Sequence, residues 1–81
     1  AEAEFRKVLK VNPESAAAMN YLGYMLADRG ERLQEALKLI QQAVEREPFN
    51  GAYLDSLGWA YFRLGKYEEA EDYLKRSLER V

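Results

Sequence analysis

The densest group of chemically capable side chains in this sequence is the acidic run Glu68, Glu69, Glu71 and Asp72. Carboxylates at such spacing could hold calcium or share acid and base roles, but little stands beside them to complete a site. The chain has neither histidine nor cysteine, which removes the usual general base, the thiol nucleophile and most transition-metal sites. The run also falls at the start of a helical segment, where the backbone dipole favours negative charge, so it reads as a solvated face. Ser15, Ser56 and Ser77 have no base partner, and Gly30, Gly51 and Gly65 belong to helix turns rather than to a Gly-Lys-Ser/Thr phosphate loop. No enzyme, cofactor or metal site is expected.

The elements that would position any other kind of site follow from composition. The 81 residues are 48% hydrophobic and 32% charged, which suits one small folded domain with a thin core. A net charge of −2, with both signs interleaved, offers no nucleic-acid stripe and no basic membrane face. No apolar run approaches the roughly 18 residues of a membrane span. The opening Ala-Glu-Ala-Glu is not a signal peptide. Without an initiating methionine, the chain reads as a piece of something longer.

Apolar spacing predicts five helices. Residues 1 to 11 set Ala1, Phe5, Val8 and Leu9 on one side, and Asn12-Pro13 makes a corner. Ser15 caps a helix running to Arg29 with Met19, Leu22, Gly23 and Leu26 on one face, and Gly30 stops it. The next helix, Leu33 to Glu47, buries Leu33, Ala36, Ile40, Ala43 and Val44, and ends before Pro48. Asn50 caps a fourth helix over 51 to 64 that buries Leu54, Leu57, Gly58 and Tyr61. Beyond Gly65 a last helix, Tyr67 to Arg80, buries Ala70, Tyr73, Leu74 and Leu78. Turns this short force antiparallel packing.

One unit is written twice. Leu22-Gly23 matches Leu57-Gly58 and Gly30 matches Gly65; past a one-residue shift in the turn, Glu35-Ala36 matches Glu69-Ala70 and Glu45-Arg46 matches Glu79-Arg80. A period in the thirties indicates a helical repeat array. Gly23 and Gly58 lie inside apolar helix faces, where glycine costs about 1 kcal/mol relative to alanine, so close helix approach must compensate. Ala36 and Ala70 are the facing small residues.

This pattern resembles the tetratricopeptide repeat, whose 34-residue helix-turn-helix unit runs roughly W-x2-L-G-x2-Y, then A-x3-F, A and P. The second unit supplies Leu54, Leu57, Gly58, Tyr61, Ala70, Leu74 and Ser77 at those places. The first supplies Met19, Leu22, Gly23, Leu26, Ala36, Ile40, Ala43 and Pro48, and a half unit before it supplies Phe5, Val8 and Pro13. Met19 and Leu54 replace the tryptophan, Leu26 replaces the tyrosine, and one extra residue between Gly30 and Ala36 lengthens the first unit. The resemblance implies an all-α fold of antiparallel helix-turn-helix repeats stacked as an alpha-alpha superhelix. As a single domain over 1–81, it divides into the second helix of a preceding repeat (1–15), a repeat (16–50) and a repeat lacking its last residues (51–81). Similar repeats occur in bacterial tetratricopeptide proteins, some of them envelope lipoproteins that act as adaptors.

A second stripe, turned away from the buried face, carries the functional expectation. Ala17, Asn20, Tyr24, Ala27 and Asp28 recur one unit later as Ala52, Asp55, Trp59, Phe62 and Arg63. In the family these positions look into the concave groove, so the resemblance implies that Asn20, Tyr24, Asp28, Asp55, Trp59, Phe62 and Arg63 bind a peptide or protein segment. The aromatics could equally stack on one another between units. The family's best-known clamp of lysine, arginine and asparagine is missing, so a chaperone-tail ligand is not expected. A scaffold or adaptor is the favoured reading. The alternatives are a structural spacer or self-association module working through open helix ends, and an accessory domain of an enzyme whose chemistry lies elsewhere.

Overall fold

Five helices follow one another: α1 (Glu2–Val11), α2 (Ala16–Arg29), α3 (Leu33–Arg46), α4 (Gly51–Arg63) and α5 (Tyr67–Glu79). The structure, a computed structural model, describes residues 2–79. Ala1, Arg80 and Val81, read from sequence as the outer ends of the first and last helices, lie outside the described residues.

The helix ends are chemically explicit. Ser15 Oγ accepts from the Ala18 amide and Asn50 Oδ1 from the Tyr53 amide, each at 3.2 Å, which satisfies amides that have no partner inside the helix. At the other end, Gly30 and Gly65 adopt φ of 70° and 79°. That left-handed turn lets the next amide reach back: Glu31 N–H donates to Leu26 O at 3.0 Å and Lys66 N–H to Tyr61 O at 2.9 Å, the same closing motif twice. The extra residue of the first unit is absorbed between Gly30 and Leu33, where Arg32 is held at φ 46°.

Each helix packs on the next, and α2 also packs on α4. The two expected close approaches are present. A methyl group at Gly23 would lie 2.6 Å from Ile40 Cγ1 and 2.9 Å from the Ala36 carbonyl oxygen, and one at Gly58 would lie 2.8 Å from Leu74 Cγ and 3.2 Å from the Ala70 carbonyl oxygen. Both are inside the distance at which real side-chain carbons sit, so only glycine fits without displacement. The core is centred on the first of these contacts: Leu22, Leu26 and Ile40 are fully buried and cluster with Ala27, Ala36, Leu57 and Ala60.

The second contact is less enclosed than the sequence predicts. Leu74 and Leu78, expected to be buried, are 37% and 75% exposed, and Val8 on α1 is also exposed. No described helix packs on the outer side of α5 or α1, and an apolar face without a neighbour stays wet whatever its spacing.

The outer helix α1 is held electrostatically as well. Glu2 accepts from Arg6 at 2.8 Å, from Arg29 at 2.6 Å and from Arg32 at 2.9 Å, while Arg6 also reaches Glu35 at 2.9 Å. These bonds tie the start of α1 to the end of α2 and the start of α3. Hydrogen bonds from Arg6, then Arg29 and Arg32, hold the Glu2 carboxyl down to about 2. The added Arg32 thus supplies a bridge that the shorter second turn, Gly65-Lys66, does not have.

Candidate functional site

The three serines are occupied structurally. Ser15 caps α2, Ser56 Oγ donates to Ala52 O at 3.1 Å, and Ser77 Oγ donates across to Gly51 O at 2.9 Å. In the acidic run, Glu71 pairs with Lys75 at 3.2 Å and Asp72 with Arg76 at 2.9 Å, both one turn along α5.

The stripe on α2 and α4 divides in two. Asn20 and Ala27, expected to face outward, are 4% and 0% exposed. They sit seven residues apart on one face of α2, and Ala27 packs in the cluster that contains Leu57 and Ala60 of α4. That correction has a simple cause: α4 lies against this face of α2, so these positions become interior. Asn20 Oδ1 is left there without a hydrogen-bond partner, an arrangement that typically costs about 1 to 3 kcal/mol. Tyr24 and Asp28 remain exposed.

On α4 the corresponding residues are open. Asp55, Phe62 and Arg63 are exposed and Trp59 is half-buried. The Trp59 ring stacks on Phe62 with centroids 5.6 Å apart and planes 15° from parallel, and Phe62 meets Tyr67 at 5.4 Å in a tilted pair. The result is a short aromatic ladder from the core outward: Trp59 packs on the buried cluster, Phe62 is 47% exposed, and Tyr67 is more exposed still. Tyr67 was not among the residues expected from sequence, because it opens α5 rather than lying on the repeated stripe. An aromatic two residues past the turn glycine was the available signal.

Arg63 closes one side of the ladder. Its guanidinium carbon lies 5.7 Å from the Trp59 ring centroid, a cation over an aromatic face. Its Nη2 also lies 2.5 Å from where a side-chain carbon on Gly30 would be. Glycine at 30 therefore does two things: it takes the left-handed turn that ends α2, and it leaves room for Arg63 to rest on that end, where the helix dipole favours a cation. Among the described residues Arg63, Asp28 and Asp55 form no ion pair. The Trp59 indole Nε1 is buried without an acceptor.

These side chains offer apolar rings, one cation and two carboxylates on one face, a surface able to bind. No described helix is long and apolar enough to cross a membrane.

Comparison with known proteins agrees with this architecture. Over 79 residues the chain is 46% identical to the TPR repeat-containing protein PA4667 of Pseudomonas aeruginosa, covering 98% of this chain but 13% of that protein. The solved structure MamA MSR-1 C2 superposes with a TM-score of 0.79 at 28% identity, over 94% of this chain and 43% of that one. The chain thus spans a small part of one relative and less than half of the other. A family model described as tetratricopeptide repeat matches residues 14–81, the stretch that holds both glycine-alanine contacts and the stripe. On that match, the five-helix stack belongs to the tetratricopeptide repeat family.

Proposed function

We propose that the chain is a scaffold module whose open stripe, Tyr24, Asp28, Asp55, Trp59, Phe62 and Arg63, with the Asn20 amide beneath it, binds a peptide or protein segment. Tetratricopeptide repeats mediate protein–protein interactions and are typically scaffolds rather than enzymes. In this reading residues 16–50 and 51–81 are two repeats, and 1–15 is the second helix of a preceding one. The observation that carries the proposal is the Trp59–Phe62–Tyr67 ladder, half-buried at Trp59 and exposed at Phe62 and Tyr67, flanked by Arg63. Aromatic and arginine anchors dominate interface energetics, and a ladder rooted in the core is ordered before a partner arrives.

The test is a peptide selected on the immobilised chain from a display library. Tyr24→Ala combined with Trp59→Ala should weaken its binding by about 2 kcal/mol or more, the scale of an interface hot spot, with helicity retained. Lys38→Glu on α3 should leave affinity unchanged. The opposite pattern would refute the assignment.

A second reading rests on a different observation. Leu74 and Leu78 on α5 and Val8 and Val11 on α1 are exposed at opposite ends of the stack, which supports weak self-association through the open helix ends. Sedimentation velocity should then show concentration-dependent association that Leu78→Gln abolishes. A monomer at all concentrations removes this reading.

A further inference from the structure

Away from the stripe, α3 and α5 flank α4 without packing on each other. Between them lie two adjoining hollows of about 420 and 300 Å³ that share Val44 and Tyr73 as walls, sizes at the lower end of ligand pockets. Leu54 and Leu57 of α4 form the floor. At 3.6 residues per turn Leu57 leaves α4 roughly 140 to 160° from Asp55, Trp59 and Phe62 and Leu54 roughly 80 to 140° from them, and no stripe residue lines either hollow, so this groove and the stripe are separate surfaces. Tyr73 is held in its wall: it stacks on Tyr61 at 5.6 Å, and the Arg76 guanidinium lies over its ring at 4.8 Å.

The repeat provides an internal reference for this groove. One unit earlier, between α1 and α3, the residues matching Phe49, Tyr73 and Arg76 are Glu14, Leu39 and Gln42. The two units agree at their glycine contacts yet differ here, and the second unit's changes are all toward aromatic or arginine side chains, the types that anchor interfaces. Phe49 is 69% exposed at the mouth. Charge indicates the occupant. Arg76 is answered by Asp72 at 2.9 Å, whereas Glu79 in the wall of one hollow and Glu45 in the wall of the other have no ion pair among the described residues. Each hollow therefore carries, beside the apolar floor, one carboxylate that no described cation pairs with.

We infer that the groove between α3 and α5 is a second docking site, which takes a partner segment with an apolar anchor flanked on both sides by lysine or arginine. The anchor sits over Leu54 between Tyr73 and Phe49, and the flanking cations meet Glu45 and Glu79. Rim charges of this kind select among partners more than they add affinity, so the site distinguishes basic from acidic segments.

The probe is a short synthetic peptide with a Leu-Phe-Leu centre and a lysine pair at each end, compared with the same peptide carrying glutamates. Backbone NMR shifts of the whole chain locate the contact. The lysine peptide should move the signals of Val44, Leu54 and Tyr73, and the glutamate peptide should bind about tenfold more weakly or worse, a difference of about 1.4 kcal/mol. Installing the first unit's residues, Phe49→Glu with Tyr73→Leu and Arg76→Gln, should abolish the shifts. Should that variant fail to fold, Glu45→Lys with Glu79→Lys must reverse the preference between the two peptides. Phe62→Ala in the stripe should leave the affinity as in the unaltered chain, which separates this site from the proposed function. Shifts confined to Tyr24, Trp59 and Phe62, equal binding of both peptides, or no shifts would overturn the inference. So would movement at Val44 and Tyr73 on concentrating the chain alone, which would assign the groove to a second copy.

Discussion

The α2/α3 pair and the α4/α5 pair are built on one pattern and end up in different environments. Ile40 and Leu74 hold matching positions, each within van der Waals reach of a helix glycine, yet one is 0% and the other 37% exposed. Ala27 and Phe62 also match; the first is sealed beneath α4 and the second stands half in solvent. The pattern within a unit decides which residues are able to be core. The next helix decides which of them become core, and where none follows, the same positions are surface. That is why the functional reading falls on α4: its stripe is the copy that nothing described covers.

The largest expected difference between the pairs comes from truncating the matched apolar residues. Ile40→Ala should cost about 2 to 5 kcal/mol, the range for a fully buried aliphatic side chain that leaves a cavity. Leu74→Ala should cost roughly 1 kcal/mol, because solvent can fill the space. Urea denaturation of both variants measures this, and equal losses would break the comparison.

A smaller difference separates the two glycines. Alanine gains about 1 kcal/mol over glycine in a helix interior, and overpacking typically costs about 1 to 3 kcal/mol. At Gly23 the obstacles include the Ala36 carbonyl and the sealed Ile40, which have nowhere to go, so Gly23→Ala should be destabilising. At Gly58 the main obstacle is Leu74, whose side chain can swing toward water, so Gly58→Ala should be close to neutral. Gly58→Leu exceeds that freedom and should destabilise. Thermal melts that ranked Gly58→Ala as the more damaging alanine variant would show that the second contact is the tighter one.

Much of this was legible in sequence because it is local. Ser15, Asn50, Gly30 and Gly65 announced helix ends through side-chain acceptors and left-handed turns, and the paired glycines and alanines announced close approach. What could not be read depends on neighbours. The periodicity of α2 is the same whether or not α4 lies on it, so Asn20 and Ala27 were expected in the groove and were found inside. Leu74 and Leu78 were expected inside for the converse reason. The Glu2 cluster was invisible because it joins three helices across a long stretch of chain, and Tyr67 was missed because it reaches the ladder from the next helix.

The smallest effect concerns the ionic tie that only the first pair has. Glu2 titrates near 2 when folded against an ordinary value of 4.5. A carboxylate lowered on folding stabilises fully above its unfolded value and loses that contribution as pH falls through the folded one. The contribution of Glu2 should therefore fade between about pH 4.5 and pH 2. Glu2→Gln should flatten this part of the acid limb of stability and change little at high salt, since exposed pairs are screened. An acid limb identical in both proteins would show that the arginines do not hold α1.

Native-state hydrogen exchange tests most directly the central claim that the covering helix, not the repeat pattern, makes the core. The amides of Leu26 and Ile40 should exchange only through global unfolding, while those of Leu74 and Ser77 should exchange through local opening of α5, at least about tenfold faster. Equal protection along α3 and α5 would contradict it.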